Sequence, residues 1–258
     1  MTYHSFSHFS RSLLAKKLFS LFVCTLLIAF CYHWADPTIA IWVSHQKFKQ
    51  FLFFEYATYL ANVVVWATVL YYFYFAISFA ARRDEYLKKI PPSFQFENSV
   101  NPSASTNQKS DLSNLNQLTE QPIASIQYPF LNIANSVAIS VFMKDALKFM
   151  FGRYWPNTWS NNNPSLLHDH AYGFHYFHSG VAYQSFPSGH TTIVVAAATA
   201  IWLTYPRGPW RWLALVGALA VIIGLLAENY HFLGDCIAGA WVGAITAIYV
   251  TTYSKKKR

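Results

Sequence analysis

Charge is what this sequence has least of. Asp, Glu, Lys and Arg together make up 12% of its 258 residues, with 11 acidic side chains against 19 basic ones. A soluble domain carries about a quarter of its residues charged, so a water-facing shell around a single core is excluded. Cysteine is nearly absent too. Cys24, Cys31 and Cys236 are odd in number and lie in apolar stretches, which argues against a disulfide framework and fits small buried hydrophobes. There is no internal repeat and no repeated pair of broken apolar segments, the mark of many transporter sites.

What is present instead is apolar sequence, 54% hydrophobic and 19% aromatic, with a mean hydropathy of +0.21. Six stretches, at about 18–34, 57–81, 130–150, 190–205, 210–228 and 231–252, approach the roughly 20 residues that cross a bilayer as a helix. They predict an all-α fold, a polytopic bundle of six transmembrane helices, with residues 1–258 as one membrane-embedded domain. The first stretch follows Lys16 and Lys17 and has no small-residue cleavage site after it. It reads as an uncleaved anchor.

The net charge of +8 is a membrane signal rather than a nucleic-acid one. Arg11, Lys16 and Lys17, then Arg82 to Lys109, Arg207 and Arg211, and Lys255 to Arg258 all fall on one side of the six-span layout. By the positive-inside rule that side is the cytoplasm, and both termini lie there. The segment at about 91–127 is rich in Asn, Ser, Gln and Pro without an apolar period, and is expected to be a flexible cytoplasmic loop. The outer loop, about 151–187, is dense in Trp, Tyr, Phe, His and Asn and is expected to be ordered and to wall a site.

The chemistry concentrates at Pro187-Ser188-Gly189-His190, at His231 with Asp235, and at the basic segment Lys148 to Arg153. His231 and Asp235 are spaced i to i+4, on one helix face. A carboxylate there can orient the imidazole and leave its other nitrogen free to act as base or nucleophile. The Gly189-His190 turn at a helix start offers unpaired N–H groups to an anion, and Lys148 and Arg153 offer cations to phosphate oxygens. In the six-span layout Lys148, His190 and His231 reach the same, outer side of the membrane.

This combination resembles the type-2 phosphatidic acid phosphatase superfamily, whose fold is shared with vanadium haloperoxidases. The family pattern is Lys-x6-Arg-Pro, then Pro-Ser-Gly-His, then Ser-Arg-x5-His-x3-Asp. The second motif is intact at Pro187 to His190, and the end of the third is intact at His231 and Asp235. Trp155 stands where the first arginine belongs, with Arg153 two residues earlier, and Gly224 and Leu225 occupy the Ser-Arg positions. The resemblance implies a membrane lipid phosphatase acting on a lipid phosphate monoester or diphosphate. His231 would form a phosphohistidine with Asp235 holding the ring, and His190 would protonate the leaving alkoxide and then activate water. Lys148, Arg153, Ser188 and Gly189 would bind phosphate oxygens. It implies no metal or other cofactor, no nucleic acid and no protein partner. The implied setting is a bacterial inner membrane, with the site facing the periplasm or exterior. Two other readings stand beside it: a metal site at His168, Asp169, His170, His175 and His178, and a catalytically weak or inactive relative that binds lipid.

Overall fold

The computed structural model describes residues 3–89, 106–159 and 162–256. Helix α1 (Tyr3–Phe30) runs through one π turn, Cys31–Ala35, into α2 (Asp36–Ser44). Pro37 explains the break, since it has no N–H and its ring collides with the carbonyl four residues back. The wider turn relieves this, with the Asp36 N–H reaching back to Cys31 O. The first apolar run is thus longer than the sequence suggested, Ala15–Ser44 rather than 18–34. It carries Asp36 inside it.

A short 3₁₀ turn, Phe48–Gln50, leads into α3 (Leu52–Lys89), and α4 follows as Thr106–Phe151. Of the loop expected at about 91–127, residues 91–105 lie outside the described residues. From 106 onward the chain is helical, not irregular. Between Thr106 and Tyr128 there is no glycine and only Pro122 breaks the donor series, so the sequence offers no strong local opponent to extension of the spanning helix.

Beyond α4 the chain makes a largely irregular excursion, interrupted by α5 (Leu166–Asp169) and a 3₁₀ turn at Val181–Tyr183. It is stitched by isolated bridges pairing Arg153 with Phe174 and Gln184, and Trp155 with Ser165. Three helices close the fold: α6 (Gly189–Thr204), α7 (Trp210–Ala227) and α8 (Leu233–Lys256). Among the described residues there is no strand. Five helical runs among the described residues are long and apolar enough to cross a membrane, and α6, with 16 residues, is a shorter apolar helix. The protein is an all-α, polytopic bundle.

Large side chains such as Phe73, Phe142 and Val216 point outward, as expected where the surrounding medium is lipid rather than water. The interior is built of small residues and branched aliphatics, with Val137, Ile193, Ala197, Val221 and Leu225 in one cluster. Lipid gives helices no hydrophobic drive to associate, so close contact depends on small side chains. Gly239 and Gly243 of α8 supply it against α6. A Cβ at Gly239 would stand 2.6 Å from the Ser188 carbonyl oxygen, and one at Gly243 would overlap that of Thr192. This approach brings the start of α6 beside the start of α8.

Candidate active site

The site forms where three helix ends meet: the end of α4, the start of α6 and the turn before α8. Ser188 caps α6, its hydroxyl accepting from the Thr191 N–H (3.4 Å) while its carbonyl takes the Thr192 N–H (3.0 Å). A helix start leaves its first N–H groups without helical partners, and here these include those of Gly189 and His190. Lys144 and Lys148, one turn apart on α4, lie over this start. The aliphatic stems of both run within 4 Å of where a Gly189 Cβ would be. Lys148 donates through its ammonium to the Gln184 carbonyl, and Lys144 pairs with Asp145.

The turn that carries His231 is held from two sides. Asn229 takes a left-handed conformation after the last turn of α7 (φ 54°), and the Tyr230 N–H returns to Leu225 O (2.9 Å). Such a residue ends a helix cleanly. The Asn229 side chain also donates to Ala40 O (3.0 Å), tying the turn to α2. His231 is buried, and its Nδ1 stands 3.6 Å from Asp235 Oδ2. That is longer than a hydrogen bond. Burial holds the His231 pKa below its ordinary value, against the upward pull of Asp235, and so favours the neutral ring. His190 lies within electrostatic reach of His231, Lys148 and Lys144.

Asp235 is the hub. Its Oδ2 accepts from Ser185 Oγ (2.6 Å) and from the Phe232 N–H (3.1 Å), while Oδ1 accepts from Arg153 Nη1. Its carbonyl takes the Ser188 N–H (3.0 Å), so the Pro187 to His190 turn and the start of α8 are directly bonded.

The expected residues divide into two groups. His231, Asp235, His190, Gly189 and Lys148 come together at one junction. Arg153 and Ser188, expected to hold phosphate, are closed to solvent there. Arg153 is closed to solvent, paired to Asp235 on one side and to Asp36 on the other (2.8 Å). Burial opposes its charge, but Asp235 and Asp36 more than offset this and hold its pKa above the usual guanidinium range. Ser188 is also fully buried, its hydroxyl spent on the helix cap and on Thr191 Oγ1 (3.0 Å). Spacing along the chain could not separate a cation that faces the substrate from one that lies behind the carboxylate.

The family's arginine positions are apolar in space as well as in sequence. Trp155 is buried with its ring centre 5.1 Å from that of His231, its Nε1–H on Val181 O (2.7 Å). Lys148 Nζ lies 5.6 Å from that indole. Leu225 is fully buried in the aliphatic cluster. The loop histidines lie elsewhere. His175 packs edge-on to Tyr154 (4.4 Å) and His178 packs against Tyr183 (5.3 Å). The Asp169 carboxylate accepts the Ser165 N–H (2.9 Å). No group of three or more potential metal ligands occurs among the described residues.

Sequence reasoning missed Asp36, Ser185 and Tyr172. Asp36 carried a readable signal, being an ionisable residue inside an apolar run. Ser185 and Tyr172 carried none, since a serine and a tyrosine in a polar loop are unremarkable.

Residues 129–258 match the family model of the PAP2 superfamily. Over 123 residues the chain is 33% identical to a lipid A 1-phosphatase of Rhizobium johnstonii, covering 44% of this chain and 44% of that one. It is 32% identical over 123 residues to a lipid A 1-phosphatase of Rhizobium etli, covering 44% and 47%. It is also 36% identical over 67 residues to the bacitracin transport permease protein BcrC of Bacillus licheniformis, covering 26% and 32%. The chain spans less than half the length of the curated relatives it matches. No solved structure matches it.

Proposed function

The chain belongs to the PAP2 superfamily, and from that premise we propose that it is a membrane phosphatase that hydrolyses a lipid phosphate monoester or diphosphate through a phosphohistidine. The carrying observation is the junction of α6 and α8, which sets His190 beside His231 with the Asp235 carboxylate behind the latter.

His231, kept neutral by burial, attacks phosphorus in line and displaces the lipid alkoxide. Asp235 faces Nδ1 and stabilises the positive charge that forms on the ring as its other nitrogen bonds to phosphorus. His190 gives its proton to the leaving oxygen. It then takes one from the water that hydrolyses the intermediate. Lys148, Lys144 and the N–H groups of Gly189 and His190 hold the equatorial oxygens, where charge spreads in the transition state. Arg153 and Ser188 have no direct part in this scheme.

The chain is an integral, multi-pass membrane protein, and the cation pattern supports an orientation with both termini in the cytoplasm and the site facing outward. A site at headgroup depth favours a lipid substrate, and relatives named lipid A 1-phosphatase make a phosphorylated glycolipid one natural test compound.

A second reading has its own support. With Trp155 and Leu225 in the arginine positions the site lacks two guanidinium groups, and such losses cost about 3–4 kcal/mol each in comparable electrostatic sites. A catalytically weak or inactive lipid-binding relative would look like this. Phosphate release by purified protein, without added metal, from phosphatidic acid, phosphatidylglycerol phosphate, a polyprenyl diphosphate and lipid A separates the two. Release that His231→Ala abolishes supports the phosphatase. Equal release by both proteins, or none from any lipid, removes it.

A further inference from the structure

Arg153 lies between two carboxylates, and this sets the charge behind His231. Nη1 donates to Asp235 Oδ1 and Nη2 to Asp36 Oδ2 (2.8 Å). All three side chains are closed to solvent. A guanidinium paired with Asp235 alone would cancel the charge of the carboxylate facing His231. Asp36 supplies a second negative charge, so two carboxylates and one guanidinium leave one net negative charge.

We propose that Asp36 is a positioning residue that neutralises Arg153 and thereby leaves the charge of Asp235 available to His231. This rests on reading His231 as the nucleophile. Imidazole gains positive charge as it bonds phosphorus, and a neutral Arg153–Asp235 pair would do little to stabilise it. Asp36 also fixes the position of Asp235, because its Oδ1 accepts the Gly234 N–H (2.9 Å). A Cβ at residue 234 would lie 2.9 Å from Asp36 Oδ2, so glycine is what lets the carboxylate approach.

The surroundings make the balance matter. The guanidinium is 4.3 Å from the Phe232 ring centre and 5.1 Å from that of Phe174, and its Nη2 also donates to Tyr172 Oη (2.9 Å). Tyr172 in turn donates to Tyr32 O (2.7 Å). Such a dry setting strengthens each charge on its neighbours. It also explains why an aspartate is tolerated in an apolar helix, where an unpaired one is costly. The charged and titratable groups near this cluster are Cys31, Tyr32, Tyr172, Cys236, Lys148 and His231 itself. Those near His231 are Asp235, Lys148 and His190.

The test titrates His231 by NMR in full-length, detergent-solubilised protein labelled with ¹³Cε1-histidine, the signal being assigned by its loss in His231→Ala. Asp36→Asn is expected to lower the His231 pKa by about one unit, and Arg153→Gln to raise it by a similar amount. The double variant Asp36→Asn/Arg153→Gln should restore it. On a lipid phosphate, Asp36→Asn should lose roughly tenfold in kcat, the equivalent of one pKa unit on the charged ring, with KM unchanged and partial recovery in the double variant. A merely structural bridge would shift both single variants the same way and leave the double variant worse than either. That result, or an unmoved His231 pKa in folded Asp36→Asn, overturns the proposal. Should Asp36→Asn not fold, Arg153→Gln and the double variant decide by the same readout. An inactive wild-type protein would sink the phosphatase reading, while the titration would still judge the charge balance.

Discussion

The indole of Trp155 packs against the imidazole of His231, ring centres 5.1 Å apart and planes at 45°. The position where relatives are expected to present a guanidinium to phosphate therefore presents an aromatic face. The ring covers one side of His231 but contributes no charge to an anionic transition state.

Trp155→Arg should accordingly raise phosphatase activity. A guanidinium at this place can bind two phosphate oxygens at once, and kcat/KM should rise about tenfold or more, by the scale of single oxyanion contacts. Phosphate release from the best lipid of the panel measures it. A folded variant without gain would mean that Lys148 and Lys144 already hold the phosphate.

The two histidines should separate kinetically. With an aryl phosphate whose leaving group needs no protonation, His190→Ala should still form the phosphoenzyme, then hydrolyse it slowly for want of a base. A rapid phenol burst followed by a slow steady state is expected, with acid-labile phosphate on the protein. His231→Ala should show neither. A burst in that variant would assign the nucleophile elsewhere.

Acid should affect activity later than an ordinary histidine would predict. Burial lowers the His231 pKa, so the acid limb of kcat/KM should fall below about pH 6.5, the free imidazole value. The sign for stability follows from the same shift. The contribution of His231 is complete above the unfolded value, and it is lost as pH falls toward the folded value, where the unfolded chain binds a proton that the buried ring refuses. Thermal unfolding across pH 5 to 8 tests this, with His231→Ala flattening the profile.

The α6–α8 contact should tolerate no added bulk. Gly243→Val places a side chain against the Thr192 carbonyl, and overpacking of this kind costs about 1–3 kcal/mol. The variant should unfold at lower temperature. Because the contact sets His190 beside His231, it should also lose kcat more than KM. Unchanged stability would show that the helices meet elsewhere.

Much of this is legible in the amino-acid sequence. Low charge and long apolar runs specify helices in a membrane, because no other open structure satisfies its backbone there. Pro187 to His190 and the His231–Asp235 spacing are local patterns, and the family they indicate is the one the chain belongs to. The limits are equally specific. Residues 106–127 read as irregular from their polar composition, yet helix propensity needs no apolar face to extend an existing helix. Arg153 read as a phosphate ligand because it is the guanidinium nearest Lys148 in the chain.

The sequence alone determined the membrane class, the helical architecture and the kinds of side chain available for phosphoryl chemistry, since hydropathy and short spacings are properties of neighbours along the chain. Only the tertiary structure decided which cation lies over the start of α6 and which is sealed behind Asp235. Arg153 meets Asp36, 117 residues away, because the Pro37 break and the glycines of α8 let three helix ends converge. A charge acts through space, and its partner is set by packing rather than by order.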